Sequence, residues 1–335
     1  MKLDRLFMTA IALFVLSNAN SFAQGPNGSG EYYKPADGKK GKELKTALCA
    51  IINPHTQRTY KQLWTDFEKT DKKANGKVWD MYSNKREMTF GTDQAGSYSK
   101  EGDVYNREHS FPKSWFNDEY PMYTDLYHLY PTDGWVNNKR GNDPFGEVGP
   151  GYASSYSEFS KWGSARSDLG YSGNVFEPND EYKGDFARTY FYMVTCYESY
   201  VNSKNQSRQI TSWNCPMLDG KVYPGFSDWA LAMLMKWSEN DPVSDKETNL
   251  NEAVYGIQNN RNPFIDYPGL EEYIWGDKKD EAFSYDGSAS GIKNIEEKDE
   301  VEGYYSLDGK RLQKSQRGVN IVKTKSRRTK KIIKR

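Results

Sequence analysis

The stretch DFARTYFYMVTCYESY, residues 185–200, repeats apolar side chains at Ala187, Tyr190, Phe191 and Val194. At 3.6 residues per turn these positions share one face, so the stretch predicts a helix that must be covered by other elements. WALAMLMKW, from Trp229, predicts a second helix, and SDKE at Ser244–Glu247 is a capping box opening a third. Short strands are expected around Glu87–Phe90 and Asp103–Asn106. Many Gly, Asn and Asp residues between these segments imply long loops, and no internal repeat is present. The expected class is α+β, helix-rich, with short strands and long loops.

What such helices can bury is set by composition. Tyr (25), Phe (15) and Trp (9) dominate an apolar fraction of 36% in 335 residues. An aromatic core is the ordinary use of such residues, and a stacking surface for bases or sugars is the functional alternative. The aromatic core is the favoured reading.

The ends of the chain read differently from its body. Lys2 and Arg5 precede an apolar run of 11 residues, Leu6–Leu16, followed by Ser21-Phe22-Ala23. That pattern is an export signal with cleavage after Ala23, and the run falls well short of the roughly 20 residues of a membrane span. Residues 1–23 are therefore assigned to a signal peptide, 24–285 to the main domain, 286–300 to a linker and 301–335 to a basic C-terminal segment. The Gly/Ser stretch SYDGSASG and the acidic EEKDEVE mark the linker. Beyond it, short strands are expected, with turns at Asp308-Gly309 and Arg317-Gly318.

Charge is unevenly spread. Residues 310–335 hold 12 of the 46 Lys and Arg and no acid, leaving 34 basic against 46 acidic in residues 1–309, a net of −12. A polyanion site on this body must therefore be a local patch, helped by a bound cation. Cys49, Cys196 and Cys215 allow at most one internal disulfide and leave one thiol over, and no CxxC supports a cysteine zinc site.

Chemistry concentrates in two runs. NREHSFPKSW, residues 106–115, sets Glu108 beside His109, one of only three histidines. Adjacent side chains of an extended segment point to opposite faces, so one could face a metal and the other a water. DLYHLYPTDGWVNNKRGNDPFGEV, residues 125–148, suggests a helix starting at Pro131-Thr132-Asp133, with Thr132 or Asp133 as N-cap. Asn137 and Arg140, three apart, could project from one face of it. Glu108 and Asn137 offer hard oxygens suited to Mg²⁺, His109 could take a proton from water, and Arg140 could hold a phosphate. Each also has a bland reading. The Glu-His pair could be a surface accident, His128 a hydrogen-bonded core residue, Asn137 a plain surface amide and Arg140 a partner of Asp143.

NREHSFP, DLYHLYPTDGWVNNKRGN, FARTYFYM and IQNNRNPFID, in that order, resemble the endonuclease I family of exported bacterial nucleases. The resemblance spans roughly residues 45–275 and implies a ββα-metal active site. It implies Glu108 and Asn137 as ligands of Mg²⁺ (Mn²⁺ or Ca²⁺ as alternatives) and His109 as general base. It further implies Arg140 near the scissile phosphate or supporting the site, and Asn142 as structural. Arg261 and Asn262 would lie near the same cleft, with His128 as a further phosphate or cleft-supporting candidate. Tyr123 and the run Asp125-Leu126-Tyr127-His128 depart from patterns in some relatives, which puts the outer shell in question rather than the Glu-His-Asn set.

The expected function is a secreted, Mg²⁺-dependent, sequence-non-specific endonuclease acting on DNA, and on RNA as a further substrate, leaving 5′-phosphate ends. The competing readings are an inert nucleic-acid or glycan binding module at the cell surface, and a hydrolase of another phosphate ester. A monomer is expected. YYSLDGKRL and GVNIVKTK resemble C-terminal sorting segments of type IX secretion cargo, which would make the secretion machinery a partner; the alternative is a basic tail that tethers nucleic acid.

Overall fold

The computed structural model describes residues 25–287 and, in backbone course, four strands within residues 301–334. The signal peptide, the segment 288–300 of the linker and the Asp308-Gly309 and Arg317 turn positions lie outside the described residues. The elements run α1 (Gly41–Ile52), α2 (Leu63–Thr70), β1 (Tyr105–His109), β2 (Leu129–Asp133), α3 (Gly134–Arg140), β3 (Ala153–Ser154), β4 (Lys161–Ser164), β5 (Asn174–Glu177) and α4 (Lys183–Cys196). They continue through β6 (Ser199–Val201), β7 (Ser207–Gln209), α5 (Asp228–Asn240), α6 (Asp245–Gln258), α7 (Pro263–Asp266) and α8 (Leu270–Ile274). In the C-terminal segment β8 (Val301–Tyr305), β9 (Arg311–Leu312), β10 (Gly318–Thr324) and β11 (Thr329–Lys334) form one sheet in the order β11-β10-β8-β9. The class is mixed α+β, as expected, with short antiparallel strands in small sheets.

Helix α4 is the centre of the body. Every residue from Gly184 to Cys196 is buried, and α1, α5 and α7 pack around it. The single apolar face read from the sequence is thus only part of a helix enclosed on all sides. The polar residues on its remaining surface are accommodated by pairing rather than by water. Arg188 binds Glu247 on α6 through two hydrogen bonds, one of them 2.8 Å, and Asp185 accepts from Lys246 at 2.9 Å. Buried charges need such partners, and these two pairs fix α6 against α4. The capping box at Ser244 and Glu247 is present, so Glu247 serves both the helix end and the ion pair. The core is aromatic: Phe111, Phe145, Phe176, Phe186, Tyr190 and Trp213 are all buried in it.

One local expectation changes: Glu87–Phe90 forms no strand. The expected helix start is present with Asp133 as its N-cap, although Pro131, Thr132 and Asp133 are also buried residues of β2 paired with β1, Asp133 opposite Tyr105. The three cysteines are buried free thiols, with Cys49 donating to the Cys196 carbonyl at 3.4 Å and no disulfide formed. Among the described residues no helix is long and apolar enough to cross a membrane.

Candidate active site

Strands β1 and β2 pair antiparallel, with Glu108 opposite Tyr130 and His109 opposite Leu129. Helix α3 follows β2 without a loop, which makes a compact ββα unit. Asp133 drives that junction. Its Oδ1 accepts from the backbone N–H groups of Trp135 and Val136, both at 2.9 Å, and its Oδ2 from Gly102 N–H at 2.7 Å. One carboxylate therefore caps α3 and ties it to the loop before β1. Gly134, the first residue of α3, lies so close to β1 that a Cβ there would meet the Asn106 amide nitrogen at 2.8 Å. Gly141 ends the helix with φ +58°, where a side chain would be strained. We expect Asp133→Ala to lower stability by about 1–2 kcal/mol, the cost of a lost N-cap, with a parallel fall in activity as α3 loses its anchor. Urea denaturation and a nuclease assay on the same sample check this.

A pocket of about 350 Å³ opens beside this unit, lined by Glu108, His109, Asn137, Asn142, Arg107 and Lys113 among others. The two runs singled out in the sequence converge here. Strand alternation would have sent Glu108 and His109 to opposite faces, yet both line the pocket.

Glu108 is only 4% exposed. Its Oε1 accepts from the Tyr82 hydroxyl at 2.9 Å and from Arg140 Nη1 in a short bond. Among the described residues its Oε2 has no hydrogen-bond partner, and it is not among the sealed polar atoms. Tyr82 is itself positioned by Asp80, whose Oδ1 accepts from Tyr82 N–H at 2.8 Å and whose Oδ2 accepts from Asp133 N–H at 3.0 Å. Burial pushes the Asp80 carboxyl up to about 8, against the pull of its backbone hydrogen bonds.

His109, 6% exposed, is held on three sides. Its Nε2 lies 3.1 Å from the Tyr123 carbonyl oxygen. A carbonyl can only accept, so Nε2 carries the proton and Nδ1 keeps its lone pair. The ring stacks on Tyr123 with centroids 5.1 Å apart, and Tyr60 lies beyond at 6.2 Å. Among the described residues Nδ1 has no partner and, unlike Nδ1 of His128, it is not sealed. Burial drives the affinity of His109 for a proton well below the usual imidazole range; electrostatic repulsion from His128, Lys113 and Arg107 pushes the same way, and the Tyr123 hydrogen bond opposes it in part.

Asn137 is half-buried on α3 and lines the pocket, and its amide has no hydrogen-bond partner among the described residues. Among the described residues no cluster of three His, Cys, Asp or Glu could hold an ion. The donor set is therefore one carboxylate oxygen, one amide oxygen and room for water. That suits a hard cation such as Mg²⁺, which keeps several waters.

The other expected residues fall elsewhere. Arg140, 1% exposed, does not line the pocket. Its guanidinium donates to Glu108, to the Tyr82 hydroxyl at 2.9 Å and to the Ser110 carbonyl at 2.7 Å, and it lies 4.2 Å from the Phe145 ring centroid. The expectation that it grips a phosphate is corrected: with its fork occupied beneath Glu108, it supports the site instead. Nor do Asn137 and Arg140 share a face, since one meets the pocket and the other the core. Arg261 is buried in a two-point ion pair with Asp266 at 2.7 and 2.8 Å, and Asn262 caps α7 by accepting from Phe264 N–H at 3.0 Å. Neither lines the pocket, because each is tied into the packing of α7. His128 is fully buried with Nε2 on the Met122 carbonyl at 2.7 Å, so it backs His109 from the core and cannot meet a phosphate. Asn142 does reach the pocket, brought round by the turn at Gly141.

Sequence reasoning missed Tyr60, Trp64, Tyr82, Arg107 and Lys113. Arg107 and Lys113 sat in the NREHSFPK run and could have been found as the cations nearest the Glu-His pair. The aromatic residues carry no local signal.

Residues 40–269 match the family model of Endonuclease I. An extracellular ribonuclease of Bacillus amyloliquefaciens is 35% identical over 252 residues, covering 73% of this chain and 78% of that protein. One of Bacillus subtilis (strain 168) is 32% identical over 289 residues, covering 80% of this chain and 91% of that protein. An Endonuclease-1 of Buchnera aphidicola is 24% identical over 142 residues, covering 42% of this chain and 44% of that protein.

Proposed function

The chain belongs to the endonuclease I family and is a nuclease, and from that premise we propose that it is a secreted, Mg²⁺-dependent, sequence-non-specific endonuclease cutting DNA and RNA to 5′-phosphate ends. The observation that carries this reading is the pocket itself. It gathers an oriented, unprotonated His109 Nδ1 with two hard oxygen donors that no group among the described residues occupies.

Glu108 Oε2 and the Asn137 amide oxygen would hold the cation. When bound, a divalent cation offsets the charge of the phosphodiester and stabilises the departing 3′ oxygen. The residues of this chain do the rest. His109 Nδ1 accepts a proton from the attacking water, while the Tyr123 carbonyl holds Nε2–H and fixes the ring. The ring is neutral at pH 7, so it is ready to accept. Once protonated it sits among cations and sheds the proton readily to solvent. Arg140 and Tyr82 hold the Glu108 carboxylate in place through its Oε1. Arg107 and Lys113 bring positive charge to the pocket of a body that is net acidic.

RNA enters the reading through the two relatives named extracellular ribonucleases. Contacts that go to phosphate rather than to base edges make cleavage non-specific. Export through the signal ending at Ala23, a basic tail acting as a sorting segment and a monomeric state belong to the same proposal. An inert binding module of this fold is disfavoured, because it has no use for an unpaired Nδ1 next to unpaired ligand oxygens.

The test is incubation of plasmid and of RNA with the purified protein across a divalent-ion series. Cleavage in Mg²⁺ that EDTA abolishes is expected, and intact polymer in excess Mg²⁺ would sink the proposal. Glu108→Gln keeps the acceptor for Arg140 but removes the ligand charge. We expect it to weaken Mg²⁺ binding by more than about tenfold, the scale of losses at supporting positions, as read by calorimetric titration.

A further inference from the structure

The removal of Arg140 from the phosphate leaves open which cation meets the substrate. We propose that Arg107 makes that contact, presenting its guanidinium fork to the non-bridging oxygens of the scissile phosphodiester. This rests on the nuclease reading above.

Arg107 sits on β1 directly before Glu108 and lines the same pocket as Glu108, His109 and Asn137. Its guanidinium carbon lies 3.5 Å from the ring centroid of Tyr60 and 4.3 Å from that of Trp64. Nη1 donates to the Tyr60 carbonyl at 2.7 Å. These contacts immobilise the plane without neutralising it. Arg107 has no carboxylate partner among the described residues, and neither Nε nor Nη2 is bonded to protein or sealed. Two donors of a fixed, charged plane therefore remain for a ligand at the pocket.

The other cations near the site are less suited. Arg140 is enclosed beneath Glu108. Lys113 is a flexible ammonium already 2.7 Å from Asp118. A planar fork matches phosphate geometry, whereas an ammonium acts as a point charge. Attack on the phosphodiester adds negative charge to its equatorial oxygens, and donors already in place need no reorganisation at that moment. Clamping by Tyr60 and Trp64 provides that preorganisation. Such a contact reads backbone only, in keeping with cleavage at any sequence.

The experiment has two arms. Binding of a short DNA duplex is measured in Mg²⁺ across a sodium chloride series, in a His109→Ala background so that cleavage does not intervene. Loss of one phosphate contact should reduce the slope of log affinity against log salt by about one for Arg107→Gln. Single-turnover cleavage is then measured with His109 intact. Arg107→Gln should be slower by about 100-fold, the scale of a lost donor to a developing oxyanion. Arg107→Lys should restore the salt slope yet recover only part of the rate. A wild-type slope in Arg107→Gln overturns the proposal. If Arg107→Gln fails to fold, Arg107→Lys decides: a wild-type rate overturns the proposal and a reduced rate with unchanged Mg²⁺ affinity supports it. The binding arm does not depend on turnover, so failure of the nuclease reading would show separately, as wild-type protein that binds duplex without cutting it.

Discussion

His109→Ala is expected to lower turnover by about 10²–10⁴-fold, the usual contribution of a positioned general base, while leaving affinity for nucleic acid nearly unchanged. The ring is held by the Tyr123 carbonyl and by stacking, and no other described residue bonds to its Nδ1. Removing it thus deletes the base without disturbing Glu108 or Arg140. The pH dependence has a defined sign. Burial and neighbouring positive charge lower the proton affinity of folded His109, and a cation bound beside it would lower it further. The neutral, active form should therefore persist as pH falls through about 6.5, the unperturbed value, and the rate should decline only at more acid pH. The same shift acts on stability. Below about 6.5 the unfolded chain binds a proton that the folded one does not, so the contribution of His109 is fully present above that pH and is lost as pH falls towards the folded value. Rate profiles of the wild type and of His109→Ala in one buffer series separate base chemistry from unfolding. A variant retaining near-normal activity would show that another group takes the proton.

Arg140→Ala is expected to destabilise the fold by about 3–5 kcal/mol, the cost of leaving a buried charge without its partner. That is a large share of the roughly 5–15 kcal/mol that holds a typical domain together. Glu108 would lose its charged partner, the Ser110 carbonyl and Tyr82 hydroxyl would each lose a donor, and the Phe145 ring would lose its covering guanidinium. A lysine cannot reproduce this set, because a single ammonium cannot reach Glu108, Tyr82 and Ser110 in the directions that a fork does. The paired change Glu108→Gln with Arg140→Met should cost less than Arg140→Ala alone, since it removes both charges. Urea denaturation of the three variants tests this directly. A role confined to holding phosphate would instead leave stability unchanged.

These two residues show where the sequence was informative. Glu108 and His109 were legible because the reactive types stood side by side in a chain with three histidines. Asn137 was legible through the resemblance of its run. The capping box of α6 and the apolar period of α4 announced those helices, because both signals lie within four residues along the backbone. The cap of α3 was legible too, for Asp133 takes that role while pairing with β1 also makes Pro131-Thr132-Asp133 the end of β2. The errors had a common origin in partners remote along the chain. Glu87–Phe90 had strand-like composition and met no partner strand. Arg261 and Asn262 stood in a run that resembles the family's, yet they hold α7 in place rather than facing the pocket.

By itself, then, the sequence determined which chemical groups were on offer and which segments would coil, since those depend on neighbours a turn away. Which of its arginines would be enclosed and which left facing a substrate was decided only on folding. Arg140 is enclosed because it pairs with the buried carboxylate of Glu108, and Tyr82, 26 residues before Glu108, completes that cluster. Arg107 stays available because Tyr60, 47 residues away, and Trp64 cover its faces with rings that carry no opposing charge. Desolvation selects such partners by proximity in space, and no local pattern along the chain encodes that proximity.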